Sequence, residues 1–264
     1  MKKTGDWLSR CPDCGFWAST LSSGGGTGIG GLEELRRRNN EAILDRLEQH
    51  GSLRGKRILE VGSAWGWFLE AAAQRGASVH AIEPEEANVA LSRQRLGFEI
   101  EHGFFPQDLV DRGPYDVVVF NDVFEHIPEP SKVIRAVAEL LAPNGMAVIN
   151  IPTSSGIFFR MASVLDRVGI SGPIERLWLK GFSSPHASFF NENNLNKCVQ
   201  RNSNLKNIDW FPLVPISREG LHQRIKATHG GVVSAGLFAG IWLLSFALPW
   251  LPADNQVAIF QAPA

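Results

Sequence analysis

The sequence predicts an α/β fold: a Rossmann-like seven-stranded sheet, mostly parallel, with an antiparallel last strand and helices on both faces. One observation behind this prediction is the alternation of short apolar runs with helical stretches from residue 57 to residue 211. Another is the pair of strand candidates at 205–211 and 256–261, which would form an antiparallel closing hairpin. Parallel strands with right-handed crossovers bind ligands beyond their carboxyl ends.

Length and charge favour a soluble enzyme with one main domain. The chain has 264 residues and a formal net charge of −1, so no overall field draws it to nucleic acid. No apolar signal region opens the sequence, and only three cysteines are present. We therefore expect a cytoplasmic protein that acts on a small molecule.

The first segment carries a possible metal site. Cys11 and Cys14 lie in a Cys-Pro-Asp-Cys-Gly run that is typical of one knuckle of a zinc ribbon. Tetrahedral zinc needs four ligands, and Cys198 lies far along the chain in a helical stretch that favours a core position. Zinc at Cys11 and Cys14 and a degenerate remnant therefore both stay open. A glycine-rich linker follows at 22–31.

A helix is predicted at 32–49, with an apolar stripe and a basic start. The stripe consists of Leu35, Ile43, Leu44 and Leu47. Arg36, Arg37 and Arg38 lie near the beginning of this helix. It is either a lid that covers a cofactor and adds to an anionic substrate pocket, or an accessory helix with a solvated face.

A strand, a glycine bend and a helix then form the most informative motif of the chain. The apolar run 58–61 is broken by Gly62, and a helical stretch follows at 67–75. This arrangement exposes backbone N–H groups at a helix N-terminus, where a ligand can approach closely. A second strand, 78–83, brings Glu83 to the same edge, where its carboxylate can accept hydrogen bonds from a ribose diol.

The spacing of the glycines distinguishes between cofactors. A dinucleotide fingerprint has three glycines, whereas only Gly62 and Gly66 are present here and Ala64 takes the middle position. Glu60 would repel a diphosphate but would suit an ammonium or sulfonium group. The motif therefore favours S-adenosylmethionine over NAD, with a ligand-free glycine turn as the alternative.

A polar cluster follows the next buried strand, 117–120. The cluster consists of Asn121, Asp122, Glu125 and His126. Helices are predicted on either side of this strand at 85–96 and 131–141, and Asn144-Gly145 then turns into a strand at 146–151.

With these motifs the sequence resembles the class I S-adenosylmethionine-dependent methyltransferases. It is most similar to the branch of the ubiquinone-biosynthesis O-methyltransferases and of zinc-ribbon methyltransferases of cell-surface sugar pathways. The likeness extends over residues 32 to 211. The matching parts are the runs 59–66, 120–130 and 141–152, together with Glu83.

The resemblance implies a set of cofactor-binding residues. Glu60, Gly62 and Gly66 would contact the methionine part, Glu83 would bind the ribose, and Asn121 with Asp122 would form the back of the sulfonium pocket. The neighbouring Ser63, Ala64 and Pro84 complete the predicted set. Many members have an aspartate after strand three for the adenine amine. Here a His-Gly-Phe-Phe run takes that place, so we expect adenine to pack against Phe104.

Two histidines are the candidate catalytic residues. O-methylation of a hydroxyl with a high pKa needs a general base, and His126 has a pKa naturally near working pH. Glu125 or Asp122 could orient it; alternatively, His126 only caps the loop before Pro128. His186 belongs to a His-x-x-x-Phe-like stretch that fronts the substrate cavity in related enzymes.

Residues 231–251 contain no charged side chain and follow Arg218, Arg224 and Lys226. This stretch is long enough to cross a bilayer, although crossing would separate the closing strand from its sheet. A lid over the substrate cavity, docking on a membrane surface and a true span stay open. Membrane docking would imply a lipid-linked acceptor and a location at the inner face of the membrane.

The predicted organisation has three segments: a zinc-ribbon remnant with its linker at 1–31, the methyltransferase core with its lid helix at 32–211, and an apolar insertion with the closing strand at 212–264. Two other functions stay open. A nicotinamide-dependent oxidoreductase shares the strand–glycine–helix pattern but lacks an evident hydride-transfer set. A catalytically silent scaffold would keep the cofactor fold as a binding module. The sequence leaves the oligomeric state undetermined.

Overall fold

The computed structural model describes residues 1–3, 6–21, 33–213 and 250–264. Eleven strands are formed in this part of the chain: β1 Lys2–Lys3, β2 Leu8–Arg10, β3 Trp17–Ser19, β4 Arg57–Val61, β5 Ser78–Glu83, β6 Ile100–His102, β7 Tyr115–Asn121, β8 Leu141–Pro152, β9 Ser188–Phe189, β10 Lys206–Leu213 and β11 Asn255–Gln261. The helices are α1 Glu33–His50, α2 Trp67–Gln74, α3 Glu86–Leu96, α4 Pro130–Leu140, α5 Ile157–Arg167, α6 Gly172–Leu177 and α7 Glu192–Asn202, with a single 3-10 turn at Phe124–His126.

The central sheet has the predicted seven strands, in the order β10-β11-β8-β7-β4-β5-β6. Its five strands from β8 to β6 are parallel neighbours, and β11 runs antiparallel to both β8 and β10. The predicted fold class and the closing hairpin are therefore confirmed.

The largest difference from the predicted strand boundaries is at the start of β8. The strand expected at 146–151 begins at Leu141, because Leu141 already pairs with Tyr115 of β7. Asn144, with φ of 60°, and Gly145 form an irregularity inside the strand rather than a turn before it. Their hydrogen bonds to Pro263 and Ala262 hold this irregularity in place.

Two hydrophobic layers cover the two faces of the sheet. Alternate residues of β7 enter opposite layers: Val117 and Val119 pack with α1 and α2, whereas Val118 and Phe120 pack with α4 and α7. This distribution explains why the central strands appear as continuous apolar runs in the sequence.

The predicted lid helix is anchored firmly. Ile43, Leu44 and Leu47 of α1 are fully buried against the sheet layer, as the apolar stripe predicted. Arg46 adds two hydrogen bonds to the Asp209 carboxylate of β10, at 2.5 and 2.9 Å. These contacts fix the carboxyl-terminal half of α1, and because the helix is continuous they also set the position of its amino-terminal half.

A second sheet, β1-β2-β3-β9, lies beside the central one. The strands of segment 1–31 join this sheet through β3, which pairs with β9: Trp17 is the partner of Phe189 and Ala18 that of Ser188. A separate apolar cluster, which includes the fully buried Trp178, joins these strands to α5 and α6.

Part of the chain lies outside the described residues, including the linker 22–31 and all of 231–251 except its last two residues. Within the described ranges, no helix combines the length and the hydropathy that a membrane crossing requires.

Candidate functional site

A bend of left-handed residues joins the end of β4 to the start of α2. Gly62, Ala64 and Gly66 have φ angles of 73°, 45° and 72°. A Cβ atom on Gly62 would lie 2.6 Å from Cγ2 of Val123, and one on Gly66 would lie 2.5 Å from Cδ1 of Leu96. Glycine is therefore required at both ends of the bend, where the backbone approaches its neighbours most closely.

The Glu83 carboxylate lies against this bend, as the sequence predicted. Its Oε2 accepts a hydrogen bond of 2.9 Å from the N–H of Ala64. Its Oε1 accepts bonds of 3.0 Å from the N–H of Glu85 and 3.2 Å from the Asn88 amide. A carboxylate oxygen can accept two hydrogen bonds, so the side chain keeps capacity for a ligand while its position is fixed.

Two buried polar atoms on the other side of the bend have no partner in the described part of the chain. They are Oε2 of Glu60 and Oγ of Ser63, on side chains that are 3% and 4% exposed. Burial, together with the nearby Glu83 carboxylate, raises the pKa of Glu60 well above its ordinary value. Unpaired buried polar groups are costly, so their presence indicates a ligand that carries hydrogen-bond donors or positive charge.

The predicted adenine side follows β6. Phe104 is 60% exposed, and its backbone N–H donates to Oδ2 of Asp108 at 2.8 Å. The preceding Gly103 donates to the Glu83 carbonyl at 3.1 Å, which keeps Phe104 close to Glu83 and to the exposed Pro84. Asp108, which fixes this turn, was missed by the sequence analysis because it lies beyond the expected position.

An amide network ties the polar cluster after β7 to its surroundings. The Asn150 amide of β8 donates to Oδ1 of Asn121 at 2.7 Å and to Oδ1 of Asp122 at 3.0 Å. The amides of Asn121 and of Asn40 on α1 are 2.8 Å apart. Burial raises the pKa of Asp122, and the positive charge of Arg36 opposes that change.

Arg36 is the one arginine of the predicted lid trio whose charge acts on this cluster. It also acts on Glu125, and its guanidinium lies 6.0 Å from the ring centre of Trp65 in the glycine bend. Arg37 instead bonds to the carboxylates of Glu33 and Glu70. These contacts place the start of α1 beside the bend and the polar cluster, and its role as a lid stays a prediction.

His126 is held by a segment that lies far away in the sequence. Its Nδ1 is 3.0 Å from the Pro185 carbonyl oxygen and 3.2 Å from Oγ of Ser184. The carbonyl requires a proton on Nδ1, so the lone pair of the neutral ring lies on Nε2. Burial lowers the pKa of His126, although the bond to Pro185 opposes this, and the ring is neutral at physiological pH.

His186 and Glu125 surround this histidine. The ring centres of His126 and His186 are 4.8 Å apart, and burial followed by the His126 charge lowers the pKa of His186 to about 3. Oε1 of Glu125 is 4.0 Å from Nε2 of His126. Burial and the nearby Asp122 raise the pKa of Glu125 well above its ordinary value.

One ligand atom from each of Glu125, His126 and His186 lies within 4.8 Å of the others, so the three can also hold a metal ion. Oε2 of Glu125 and Nδ1 of His186 are buried and make no hydrogen bond in the described ranges. The structure thus brings together all three predicted catalytic residues. Glu125 lies next to Nε2, whereas Pro185 and Ser184 orient the ring from Nδ1.

The two cysteines of the predicted knuckle lie on the turn between β2 and β3. Backbone N–H groups, first that of Cys14, lower the pKa of the Cys11 thiol. Cys198 is half-buried against the main core, as expected. Among the described residues no third ligand gathers at Cys11 and Cys14, so a complete tetrahedral zinc site is not formed by this part of the chain.

Together, the strand order, the glycine bend and the acid at the end of β5 define a Rossmann-like fold of the class I methyltransferase type. A family profile described as a methyltransferase domain matches residues 32–209. The chain therefore belongs to this family, among the class I S-adenosylmethionine-dependent methyltransferases.

Two curated relatives are ubiquinone biosynthesis O-methyltransferases, from Stutzerimonas stutzeri (strain A1501) and from Neisseria meningitidis serogroup C (strain 053442). They are 37% identical over 112 residues and 36% identical over 115 residues, respectively. Each match covers 40% of this chain and 48% of the relative, so the chain spans about half the length of the curated relatives it matches.

Solved structures show the same fold. A cyclopropane synthase from Mycobacterium tuberculosis aligns with a TM-score of 0.60 and 15% identity, over 92% of this chain and 89% of its own. Phosphoethanolamine N-methyltransferase 2 from Haemonchus contortus, in complex with phosphomonomethylethanolamine and S-adenosylhomocysteine, aligns with a TM-score of 0.54 and 18% identity, over 86% and 53%.

Proposed function

We propose that this protein transfers a methyl group from S-adenosylmethionine to a hydroxyl oxygen of a small-molecule acceptor, with His126 as the general base. The observation that carries this proposal is the neutral, fixed His126 ring, whose Nε2 carries the lone pair and makes no hydrogen bond to the described residues, with Oε1 of Glu125 4.0 Å away. O-methylation is also the reaction named for the curated ubiquinone-biosynthesis relatives.

The crevice between the bend and Glu83 suits the methyl donor. S-adenosylmethionine supplies an electrophilic methyl group on a sulfonium centre. Glu60 would accept hydrogen bonds from the donor's ammonium group, and Glu83 would accept those of the ribose diol. Phe104 and Pro84 would pack on the adenine, while Asn121 and Asp122 would form the wall behind the sulfonium.

The acceptor would lie on the other side of Asp122. In this arrangement Nε2 of His126 would accept the proton of the acceptor hydroxyl, and S-adenosylmethionine, when bound, would supply the electrophilic methyl group and the leaving thioether. His186 and Glu125 position this ring and close the cavity. Methyl transfer depends mainly on alignment and on the exclusion of water, which the buried Glu125 and the half-buried His186 favour.

The raised pKa of Glu60 makes donor affinity depend on pH. Below that pKa the carboxyl is neutral and attracts an ammonium group weakly; above it, the carboxylate binds the ammonium strongly. We expect the affinity for S-adenosylhomocysteine to increase as pH rises towards neutrality, and Glu60→Gln to remove this dependence. Calorimetry in a series of buffers measures both. An affinity of the unmodified protein that does not change with pH would contradict the role given to Glu60.

Transfer of labelled methyl from S-adenosylmethionine to a panel of catechols, phenols and sugar alcohols tests the proposed reaction. Labelled methyl ether from one acceptor class is the expected result. Donor binding without turnover on any acceptor would instead favour the silent cofactor-binding scaffold, and labelled N- or C-methyl products would refute the choice of oxygen.

We extend the proposal to a lipid-linked acceptor at the cytoplasmic face of a membrane. The uncharged sequence stretch 231–251 supports this extension, because it rejoins the described chain at Trp250, whose side chain is 90% exposed. Flotation of the purified protein with anionic liposomes tests membrane contact, and no binding would exclude it.

A further inference from the structure

The outward face of α5 carries an exposed apolar stripe. Met161, Val164 and Val168 are 51%, 57% and 70% exposed, and Ile170 just beyond the helix is 53% exposed. A spacing of three residues places Met161 and Val164 on one face of α5, and Val168, the C-cap residue of the helix, follows four residues after Val164. Solvent-facing helix positions are normally polar, so this stripe indicates a surface that is covered in the working protein.

Two arginines flank the stripe. Arg160 and Arg167 are exposed and lie seven residues apart, on the same side of α5. Neither forms an ion pair within the described part of the chain. An apolar stripe with basic residues along one edge matches the surface of an anionic bilayer, where negatively charged headgroups cover an apolar interior.

The stripe lies next to the place where the uncharged stretch returns. The N–H of Ile157, the first residue of α5, donates to the Pro252 carbonyl at 3.1 Å, and that of Phe158 donates to Asp254 at 2.8 Å. The exposed Trp250 is two residues before Pro252. The described end of the uncharged stretch therefore leads, through Pro252, to the amino-terminal end of α5.

The inner face of α5 leads to the acceptor side of the candidate site. Phe159 packs on Phe189 with ring centres 4.8 Å apart, and Phe189 packs on His186 at 5.1 Å. A bilayer against the outer face would therefore lie one helix away from the histidine pair.

We propose that the outward face of α5, formed by Met161, Val164 and Val168 with Arg160 and Arg167, docks on an anionic lipid bilayer. The apolar side chains enter the interface and the two guanidinium groups bind headgroup phosphates. This inference rests on the proposed function for its purpose, because docking would give the enzyme access to a lipid-linked acceptor.

The test is co-sedimentation of the full chain with vesicles of phosphatidylcholine, with and without phosphatidylglycerol. Replacing Met161, Val164 and Val168 together by serine should lower the partition coefficient by on the order of tenfold or more. The double variant Arg160→Gln with Arg167→Gln should lose the preference for phosphatidylglycerol. Its partition coefficient on vesicles with phosphatidylglycerol should decrease by about tenfold. The matched control is Leu91→Ser with Val110→Ser. These two apolar side chains lie outside α5 and are 47% and 83% exposed, so their removal should leave lipid binding unchanged.

Wild-type binding by the serine triple variant would overturn the proposal and would leave the 231–251 stretch as the membrane element. Dimerisation that the triple variant abolishes would overturn it too, because the face would then join two copies of the chain. Methyl transfer to a soluble acceptor should be equal in all these variants. A stripe variant that loses lipid binding but keeps normal turnover supports the docking surface and leaves the proposed reaction intact. Normal lipid binding by a wild-type protein without turnover would refute the proposed reaction and leave the docking surface intact.

Discussion

Replacing His126 by alanine should lower the turnover of methyl transfer by on the order of 100-fold or more, because the attacking oxygen loses its proton acceptor. The affinity for S-adenosylhomocysteine should stay unchanged, since His126 lies on the acceptor side. Steady-state kinetics with labelled donor, together with calorimetry, measure the two effects separately. His80→Ala is a matched control, because this histidine is also partly buried but lies beside Asp111, away from the polar cluster.

The pH profile adds a signature that a merely structural role would not give. The base must be neutral, and burial lowers the pKa of His126 below its ordinary value. The rate should therefore stay constant through neutral pH and decrease only as pH falls through this lowered pKa. The decrease should disappear from the remaining activity of His126→Ala. An unchanged rate in that variant would remove His126 as the base, and it would equally argue against a catalytic metal ion held by Glu125, His126 and His186.

Replacing Glu83 by alanine should weaken donor binding by about 10- to 100-fold, the cost of losing hydrogen bonds to a charged acceptor. The same change removes the acceptor of the Ala64 N–H, so the bend also loses support. Turnover at saturating donor should decrease much less than affinity. Glu86→Ala is the matched control, because Glu86 is exposed on α3 three residues further along the chain.

Retained affinity in Glu83→Ala would refute the ribose assignment. Circular dichroism of the variant is needed beside the titration, since unfolding would also abolish binding. Glu83→Gln helps here, because it keeps the side-chain shape and one acceptor oxygen and should give an intermediate affinity.

The central fold could be predicted because its signals are local and repeated. The central parallel strands β4 and β7 are mostly apolar runs that are buried on both faces, and α1 and α4 carry periodic apolar stripes. The bend could be predicted for a related reason: Gly62 and Gly66 bracket a backbone path that other residues rarely adopt. Boundaries were less certain, as the early start of β8 at Leu141 shows.

The parts of the site that the sequence did not reveal come from distant segments. Asn40 and Asn150 are 110 positions apart, yet both amides bond to Asn121. Neither stands out in its own element, since Asn40 is one polar residue of an 18-residue helix and Asn150 interrupts an apolar strand. Only the polarity of Asn150 inside a buried run could have marked it.

The acceptor side shows the same limit. His186 is fixed by Ser19, whose hydroxyl donates to the His186 carbonyl at 2.7 Å, although 167 residues separate the two. The end of β3 therefore lies against the segment that carries His186. Sequence spacing predicted a metal knuckle in this segment but gave no sign that β3 would pair with β9, because pairing of two short strands across such a distance leaves no local pattern.

The most direct measurement for the whole account is a calorimetric titration of S-adenosylhomocysteine into the purified protein, with Gly62→Ala as the comparison. We expect saturable one-to-one binding to the wild type. In Gly62→Ala, the added Cβ would meet Val123 and strain a residue with φ of 73°, so we expect binding to be lost while circular dichroism still reports a folded chain. A folded wild-type protein that produces no binding heat and no donor-dependent rise in melting temperature would contradict the account.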